Sequence, residues 1–135
     1  MNRTSSSAYY NSVKESRNAW KAGLPKLCML CGISEKFAPF KWLEIHEIAP
    51  RSICRNAWGI LPNYLLLCRH CHVLQDGRTQ ASMTRCLAAK MLFDAAHYDL
   101  LAVLKLRNPN ALEFITQAEV EQEVVSLRAL LKKGV

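Results

Sequence analysis

The chain has 135 residues, of which 50% are apolar and 21% charged, and this composition is typical of a globular protein rather than a disordered one. The length fits one domain, or a small metal-stabilised module with a helical extension, and we expect no second enzyme domain. No apolar run approaches the roughly 18 residues of a membrane span, and the first residues lack a signal-peptide apolar stretch, so we expect a cytoplasmic protein.

The formal net charge of +7 suggests a polyanionic partner, with charge for solubility as the alternative. The positive charge is uneven. Residues 1–26 carry five Lys or Arg against one acid, residues 27–112 carry ten against six, and residues 113–135 carry three against four. The positive field therefore lies on the N-terminal segment and the cysteine-rich region.

The N-terminal segment predicts one basic helix. Residues 1–8 are polar, and we expect them to be poorly ordered. A helix is predicted over residues 9–22, because Gly23 and Pro25 would end it. Gly32 then supplies the backbone freedom that a tight turn after Cys31 requires.

Residues 42–48 alternate apolar and polar side chains, which predicts a β-strand. Trp42 or Leu43, together with Ile45, would face inward. Since neighbouring side chains in a strand point to opposite faces, His46 would face solvent or a site.

The remaining pattern predicts a short strand followed by helices. The strand is expected over residues 64–67, and helices over residues 69–74, 82–93 and 99–106. The last helix would begin after Thr116, because Glu119 follows at the spacing of a capping box. Its apolar stripe consists of Val120, Val124, Leu127 and Leu131.

Six cysteines are present, and four of them form two Cys-x-x-Cys pairs, Cys28/Cys31 and Cys68/Cys71. Thiols stay reduced in the cytosol, so paired cysteines there are more often metal ligands than disulfides. Two such pairs are the usual ligand set of one tetrahedral structural zinc ion. The other two, Cys54 and Cys86, are expected to be small half-buried side chains.

These elements in this order give a ββα unit with zinc at its base, which resembles the HNH endonuclease superfamily, the ββα-metal nucleases. It looks most like the small zinc-stabilised HNH proteins of bacteriophages. The resemblance covers residues 27–77, and Asn63 precedes Cys68, Cys71 and His72 by five, eight and nine positions. The motifs that carry it are Cys28-Met-Leu-Cys31, Glu44-Ile-His46-Glu47-Ile48 and Asn63-Tyr-Leu-Leu-Leu-Cys68-Arg-His-Cys71-His72.

The resemblance implies a metal-dependent endonuclease or nickase acting on DNA. It implies that His46, His72 and Asp76 bind a catalytic Mg²⁺, Mn²⁺ or Ni²⁺, and that Asn63 holds the catalytic strand in shape. The basic residues expected to contact phosphates are Arg51, Arg55, Arg69 and Arg78, although each could equally be a solvated surface charge.

Glu47 departs from the family pattern, because the best-known members have a general-base histidine at that position. With a reference pKa of about 4.3, a carboxylate is a weaker base than imidazole near pH 7. Three alternatives stay open: Glu47 is the base, or it joins the metal ligands and solvent is the base, or cleavage activity has been lost. We favour the first.

The expected fold is thus α+β and divides into three parts. These are a basic N-terminal segment (residues 1–26), the zinc-bound ββα unit (residues 27–78) and a helical extension packed on the unit (residues 79–135). The alternative function is a noncatalytic zinc-stabilised DNA-binding or assembly module that keeps the ββα frame. A protein adaptor acting through the C-terminal apolar stripe is a third, weaker possibility.

Overall fold

A computed structural model describes residues 3–50, 59–75, 79–107 and 115–134. These ranges contain two strands, and most of their other residues are helical, so the expected α+β class is confirmed. The helices are α1 (Arg3–Ala22), α2 (Arg69–Leu74), α3 (Gln80–Phe93), α4 (Leu100–Arg107) and α5 (Gln117–Gly134). The strands are β1 (Leu43–Glu47) and β2 (Tyr64–Cys68). The three-part domain division stays a prediction.

Helix α1 begins earlier than the sequence predicts, at Arg3 rather than at residue 9. The helix thus includes residues 3–8, which lie outside its predicted range. Serine and threonine have about the same helix propensity as the tyrosines and the asparagine that follow, so a helix can extend through them. At the other end, the N–H of Gly23 donates to the carbonyls of Ala19 and Trp20, where α1 ends as predicted.

The two strands form an antiparallel sheet. Leu43 pairs with Cys68 and His46 pairs with Leu65, so the sheet joins the first histidine to the strand that ends in the second cysteine pair. Every residue of β2 is buried. Helix α3 packs against β2, and α2 packs against both strands, which explains why the sequence of β2 is continuously apolar rather than alternating.

Helix α3 is the centre of the helical part of the fold. Cys86, Leu87, Ala88 and Ala89 are consecutive and buried, so α3 is covered on several sides rather than along one stripe. Its main partner is α5. The apolar stripe of α5 is buried within the chain at Val120, Val124 and Leu127 and half-buried at Leu131, so these residues form core rather than a free adaptor surface.

The predicted capping box of α5 is present. The N–H of Glu119 donates to Thr116 Oγ1 at 3.2 Å, and the N–H of Thr116 donates to Glu119 Oε1 at 3.3 Å. Each side chain thus satisfies a backbone donor that the first turn of a helix leaves without a partner.

A buried ion pair at the end of α3 is hydrogen-bonded to α1 through Trp20. Lys90 is fully buried, and its Nζ donates to Asp94 Oδ2 and to the Tyr64 carbonyl, both at 2.7 Å. Trp20 Nε1 donates to the same Asp94 oxygen at 2.7 Å, and His97 Nδ1 lies 2.8 Å from the other. Burial disfavours the Asp94 carboxylate, but the hydrogen bonds from Lys90, Trp20 and His97 outweigh it and lower its pKa.

Within the described ranges, no helix is both long enough and apolar enough to cross a membrane.

The Asp94 network predicts a stability effect. Asp94→Asn leaves the Lys90 ammonium buried without an anion and should lower the free energy of unfolding by about 3 kcal/mol, measured by urea denaturation at pH 7. Because the folded state lowers the pKa of Asp94, the carboxylate contributes fully at pH 7. This contribution is lost as pH falls through the folded pKa, below the ordinary value of 3.8.

The matched control is Asp99→Asn. Asp99 is exposed and its Oδ1 accepts from the N–H of Ala102, a capping role that asparagine also fills. Equal stability of the two variants would contradict the role given to the ion pair.

Candidate functional site

The two cysteine pairs lie on separate turns that meet at the end of the sheet. Cys28 and Cys31 lie between α1 and β1, in a turn closed by the N–H of Gly32 donating to the Cys28 carbonyl at 2.9 Å. Gly32 has a φ of 79°, in the left-handed region that glycine adopts readily. Cys68 ends β2 and Cys71 lies in the first turn of α2.

The four sulfur atoms fit one metal ion. They all lie within 4.8 Å of one another, and those of Cys31 and Cys68 are 3.9 Å apart. A tetrahedral zinc ion with sulfur at about 2.3 Å requires sulfurs about 3.8 Å apart. Three of the four cysteines are buried, and Cys31 is exposed. The arrangement can hold a metal such as zinc, as the sequence predicts.

The thiols of this cluster do not titrate alike. The Cys71 thiol donates a hydrogen bond to the Cys28 sulfur, which lowers the pKa of Cys28 to about 4. Burial raises the pKa of Cys31 to about 11. Because a metal binds thiolates, loading the cluster must release the remaining thiol protons.

His46 and His72 lie together on the face of the sheet that α2 covers. Their ring centroids are 5.0 Å apart with the planes at 83°. His46 is only 6% exposed. Its burial, with a smaller contribution from the charge of the nearby His72, lowers the pKa of His46 to about 4. The Nε2 atom of His46 is buried and has no hydrogen-bond partner among the described residues. A neutral imidazole with a free ring nitrogen is the form that binds metals.

The expectation that His46 faces away from the inward residues holds, but it does not make the side chain solvent-exposed. Both Leu43 and His46 are buried. The second face of the strand is covered because α2 crosses it, which the strand pattern alone could not reveal. Of the inward candidates, Leu43 is fully buried while Trp42 remains 55% exposed.

Glu44 positions His72, although Glu44 is not among the residues predicted for the site. Glu44 Oε2 lies 2.7 Å from His72 Nδ1, and Glu44 Oε1 accepts from Arg69 Nη1 at 2.7 Å. Burial opposes ionisation of Glu44, but the hydrogen bonds from Arg69 and His72 outweigh it and lower its pKa. An ionised Glu44 must accept from Nδ1–H, which leaves the Nε2 lone pair of a neutral His72 available for a metal.

The sequence pattern could have placed Glu44 beside His46. Residues two apart in a strand share a face, so Glu44 lies on the same side as His46. What the pattern could not give was the position of α2 above that face.

Asn63 is completely buried in the turn before β2. Its Oδ1 accepts from the N–H of Ala49 at 2.8 Å and its Nδ2 donates to the Ala49 carbonyl at 2.9 Å. The Asn63 carbonyl also accepts from the N–H of Ile48 at 2.8 Å. These bonds tie the segment after β1 to the start of β2, so Asn63 can fill the positional role expected of it.

The remaining predicted residues are not all brought to this pocket. Glu47 is half-buried at the end of β1, and strand alternation directs its side chain to the face opposite His46. Arg69 is exposed and engaged by Glu44. Four further predicted residues lie outside the described residues, so their roles stay predictions. These are Arg51, Arg55, Asp76 and Arg78. Cys54 lies outside them too, whereas Cys86 is fully buried.

In the described part of the chain, the four cysteines are the only group of three or more close ligand side chains. The histidine pair by itself offers two nitrogen ligands. A third ligand at that position would have to come from elsewhere in the chain, from solvent or from a substrate.

Comparison of this chain with known protein families, with curated proteins and with solved structures gives no match.

The cysteine cluster predicts one tightly held zinc ion per chain, measured by elemental analysis of purified protein. Cys71→Ser removes one of four ligands and should lose most of the zinc and lower the melting temperature by roughly 10 °C or more, since binding energy at a structural site is folding energy.

Cys86→Ala is the control, because Cys86 is buried on α3 outside the cluster. It should keep the full zinc content with a stability loss of about 1 kcal/mol. Full zinc content in Cys71→Ser, or none in the wild type, would contradict the assignment.

Proposed function

We propose that this chain is a metal-dependent endonuclease of the HNH type that hydrolyses phosphodiester bonds of DNA. The observation that carries the proposal is the pocket shared by His46 and His72, with ring centroids 5.0 Å apart. One ring has a buried nitrogen with no hydrogen-bond partner in the described part of the chain, and the other is held by a carboxylate. A bound histidine commonly donates its second N–H to a carboxylate in this way.

The frame around the pocket supports the same proposal. β1, β2 and α2 follow one another as strand, strand and helix, and the cysteine cluster lies where β2 passes into α2. A metal at the cluster would fix the start of α2, and α2 carries His72. The cluster and the histidine pair would thus have different tasks, one structural and one catalytic.

In the proposed reaction, His46 and His72 would hold a divalent Mg²⁺, Mn²⁺ or Ni²⁺ ion, with Asp76 as the third protein ligand that the family resemblance suggests. Such an ion would supply stabilisation of the negative charge on the scissile phosphate and on the departing 3′ oxygen. Because strand alternation directs Glu47 to the face opposite His46, solvent rather than Glu47 would accept the proton from the water that attacks phosphorus. The P–O3′ bond would then break and the 3′ oxygen would take a proton from solvent. Asn63 would keep β1 and its histidine in place.

The positive charge of the chain fits this substrate. The net charge is +7, and lysine and arginine contacts to phosphates account for most sequence-independent affinity for DNA. Arg69 is exposed beside the pocket but already bonded to Glu44. It would therefore meet a phosphate only while sharing its guanidinium with that carboxylate.

A noncatalytic zinc-stabilised DNA-binding or assembly module is the second candidate. Two observations favour it. Glu47 occupies the position of the usual histidine base. Outside the cysteine cluster, the described residues bring His46 and His72 together but form no group of three close ligand side chains. Such a module would bind DNA with steep salt dependence, would not cleave it, and would hold zinc alone.

His72→Ala tests the nuclease proposal. With Mn²⁺ and a supercoiled plasmid, the wild type should nick or linearise the DNA. The variant should lose at least about 100-fold in rate, because it removes a ligand of the catalytic ion. The measurement is the rate of loss of supercoiled DNA on agarose gels.

His70→Ala is the matched control, since His70 is exposed and lies on the same helix two residues earlier. It should cleave at the wild-type rate, and both variants should keep their zinc. No cleavage by the wild type with any of the three cations would favour the noncatalytic candidate. Equal cleavage by both variants would exclude His72 from the reaction.

Glu44→Gln tests how the pocket is organised. The amide cannot fix His72 as an ionised carboxylate does, so affinity for the exchangeable divalent ion should fall about 10- to 100-fold. The cysteine cluster should stay loaded. The measurement is a titration with Mn²⁺ in which binding is monitored by electron paramagnetic resonance.

Glu35→Gln is the control, as Glu35 begins the helical turn Glu35–Phe37 and lies outside β1 and α2, which carry the histidine pair. Unchanged Mn²⁺ affinity in Glu44→Gln would contradict the positioning role.

A further inference from the structure

The segment between the first cysteine pair and β1 exposes three aromatic side chains within six residues. Phe37 is 71% exposed, Phe40 86% and Trp42 55%. Three lysines lie on or beside these rings. We call this set the aromatic–lysine surface, and its members are Lys21, Lys36, Phe37, Phe40, Lys41 and Trp42.

The backbone has an unusual conformation at Phe40, the most exposed of the three rings. Phe40 and Lys41 have φ values of 61° and 54°, in the left-handed region that non-glycine residues seldom adopt. Two consecutive residues in this region are energetically unfavourable. Strain of this kind is concentrated at functional sites, and here it turns an apolar ring toward solvent where burial would otherwise be favoured.

Trp42 is held in place by a lysine. Lys21 Nζ lies 3.9 Å from the centroid of the Trp42 ring and donates to the Leu43 carbonyl at 3.0 Å. Lys36 Nζ lies 5.4 Å from the ring of Phe37. One face of the indole is therefore covered by a cation. The ring is oriented before any partner arrives.

The charge around the rings selects the kind of partner. Residues 17–42 carry five Lys or Arg against one acid. Lysine is depleted at the cores of protein–protein interfaces, whereas exposed aromatic rings among basic side chains are the usual equipment for binding single-stranded nucleic acid. The rings stack on bases and the ammonium groups contact phosphates.

The surface adjoins the histidine pocket. The turn Pro39–Lys41 packs against α2, which carries His72, and Trp42 directly precedes β1, which carries His46. At about 3.3 Å per strand residue, the backbone of Trp42 lies about 13 Å from that of His46. This is about four nucleotide steps at the 3.4 Å rise per strand of duplex DNA, and an extended single strand spans it in fewer.

We propose that the aromatic–lysine surface stacks unpaired bases of the nucleic-acid strand whose phosphodiester lies at the histidine pocket. The substrate class is then single-stranded or locally opened DNA. Its placement relative to cleavage rests on the proposed function, whereas base stacking by these rings does not.

The test is fluorescence anisotropy with a labelled 20-nucleotide oligo-dT and a mixed-sequence duplex of 20 base pairs. It uses zinc-loaded protein without added divalent cation, so that no cleavage occurs. The wild type should bind oligo-dT more tightly than the duplex. Phe40→Ala should weaken oligo-dT binding about 5- to 100-fold, the range expected for loss of one stacked base, and change duplex binding less than about 2-fold.

Four further variants separate stacking from other effects. Phe40→Tyr keeps a stacking ring and should bind as the wild type does. Leu130→Ala removes a 51% exposed apolar side chain from α5 and should change nothing. Lys41→Ala should weaken the binding of both oligo-dT and the duplex, and should reduce the slope of log affinity against log salt concentration by about one. Lys132→Ala, on α5, should change neither.

Equal oligo-dT affinity of Phe40→Ala and the wild type would overturn the proposal, as would tighter binding to the duplex. So would Phe40-dependent dimerisation in sedimentation, or Phe40-dependent binding to phosphatidylserine vesicles, without binding to oligo-dT. The two proposals fail separately. Phe40-dependent oligo-dT binding without cleavage would end the nuclease proposal alone, and His72-dependent cleavage without Phe40-dependent binding would end this one alone.

Discussion

The meeting of two sulfur pairs from distant parts of the chain is the constraint on which the site depends. Cys28 and Cys31 come from the turn after α1, and Cys68 and Cys71 come from the junction of β2 and α2. One metal ion at these four sulfurs would fix α2 relative to the sheet. The distance between His46 and His72 is set by that relation, because one ring lies on β1 and the other on α2.

Two other contacts stabilise the same region without a metal. The Asn63 side chain bonds to both backbone groups of Ala49, which joins the end of β1 to the start of β2. Lys90, Asp94 and Trp20 join α3 to α1 through buried charged hydrogen bonds. In both cases a polar group is buried with its partners satisfied, so it specifies one arrangement of the backbone around the site.

Local sequence signals located the elements well where one pattern dominates. The alternation in residues 42–48 gave β1, the Cys-x-x-Cys spacing gave the sulfur cluster, and the Thr116–Glu119 spacing gave the start of α5. Prediction was weaker where tertiary contacts decide. The start of α1 was placed too late, and α3 shows no clean stripe because it is covered on several sides and buries a lysine.

The sequence alone determined the chemistry that is available: four thiols in two pairs, imidazoles at positions 46 and 72, and an excess of positive charge. Only the tertiary structure decided which groups meet. Helix α2 lies over one face of β1, so His46 is buried beside His72, and Glu44 rather than solvent holds the second ring. Contacts between residues 25 or more positions apart depend on how the elements pack, and no local periodicity encodes that packing.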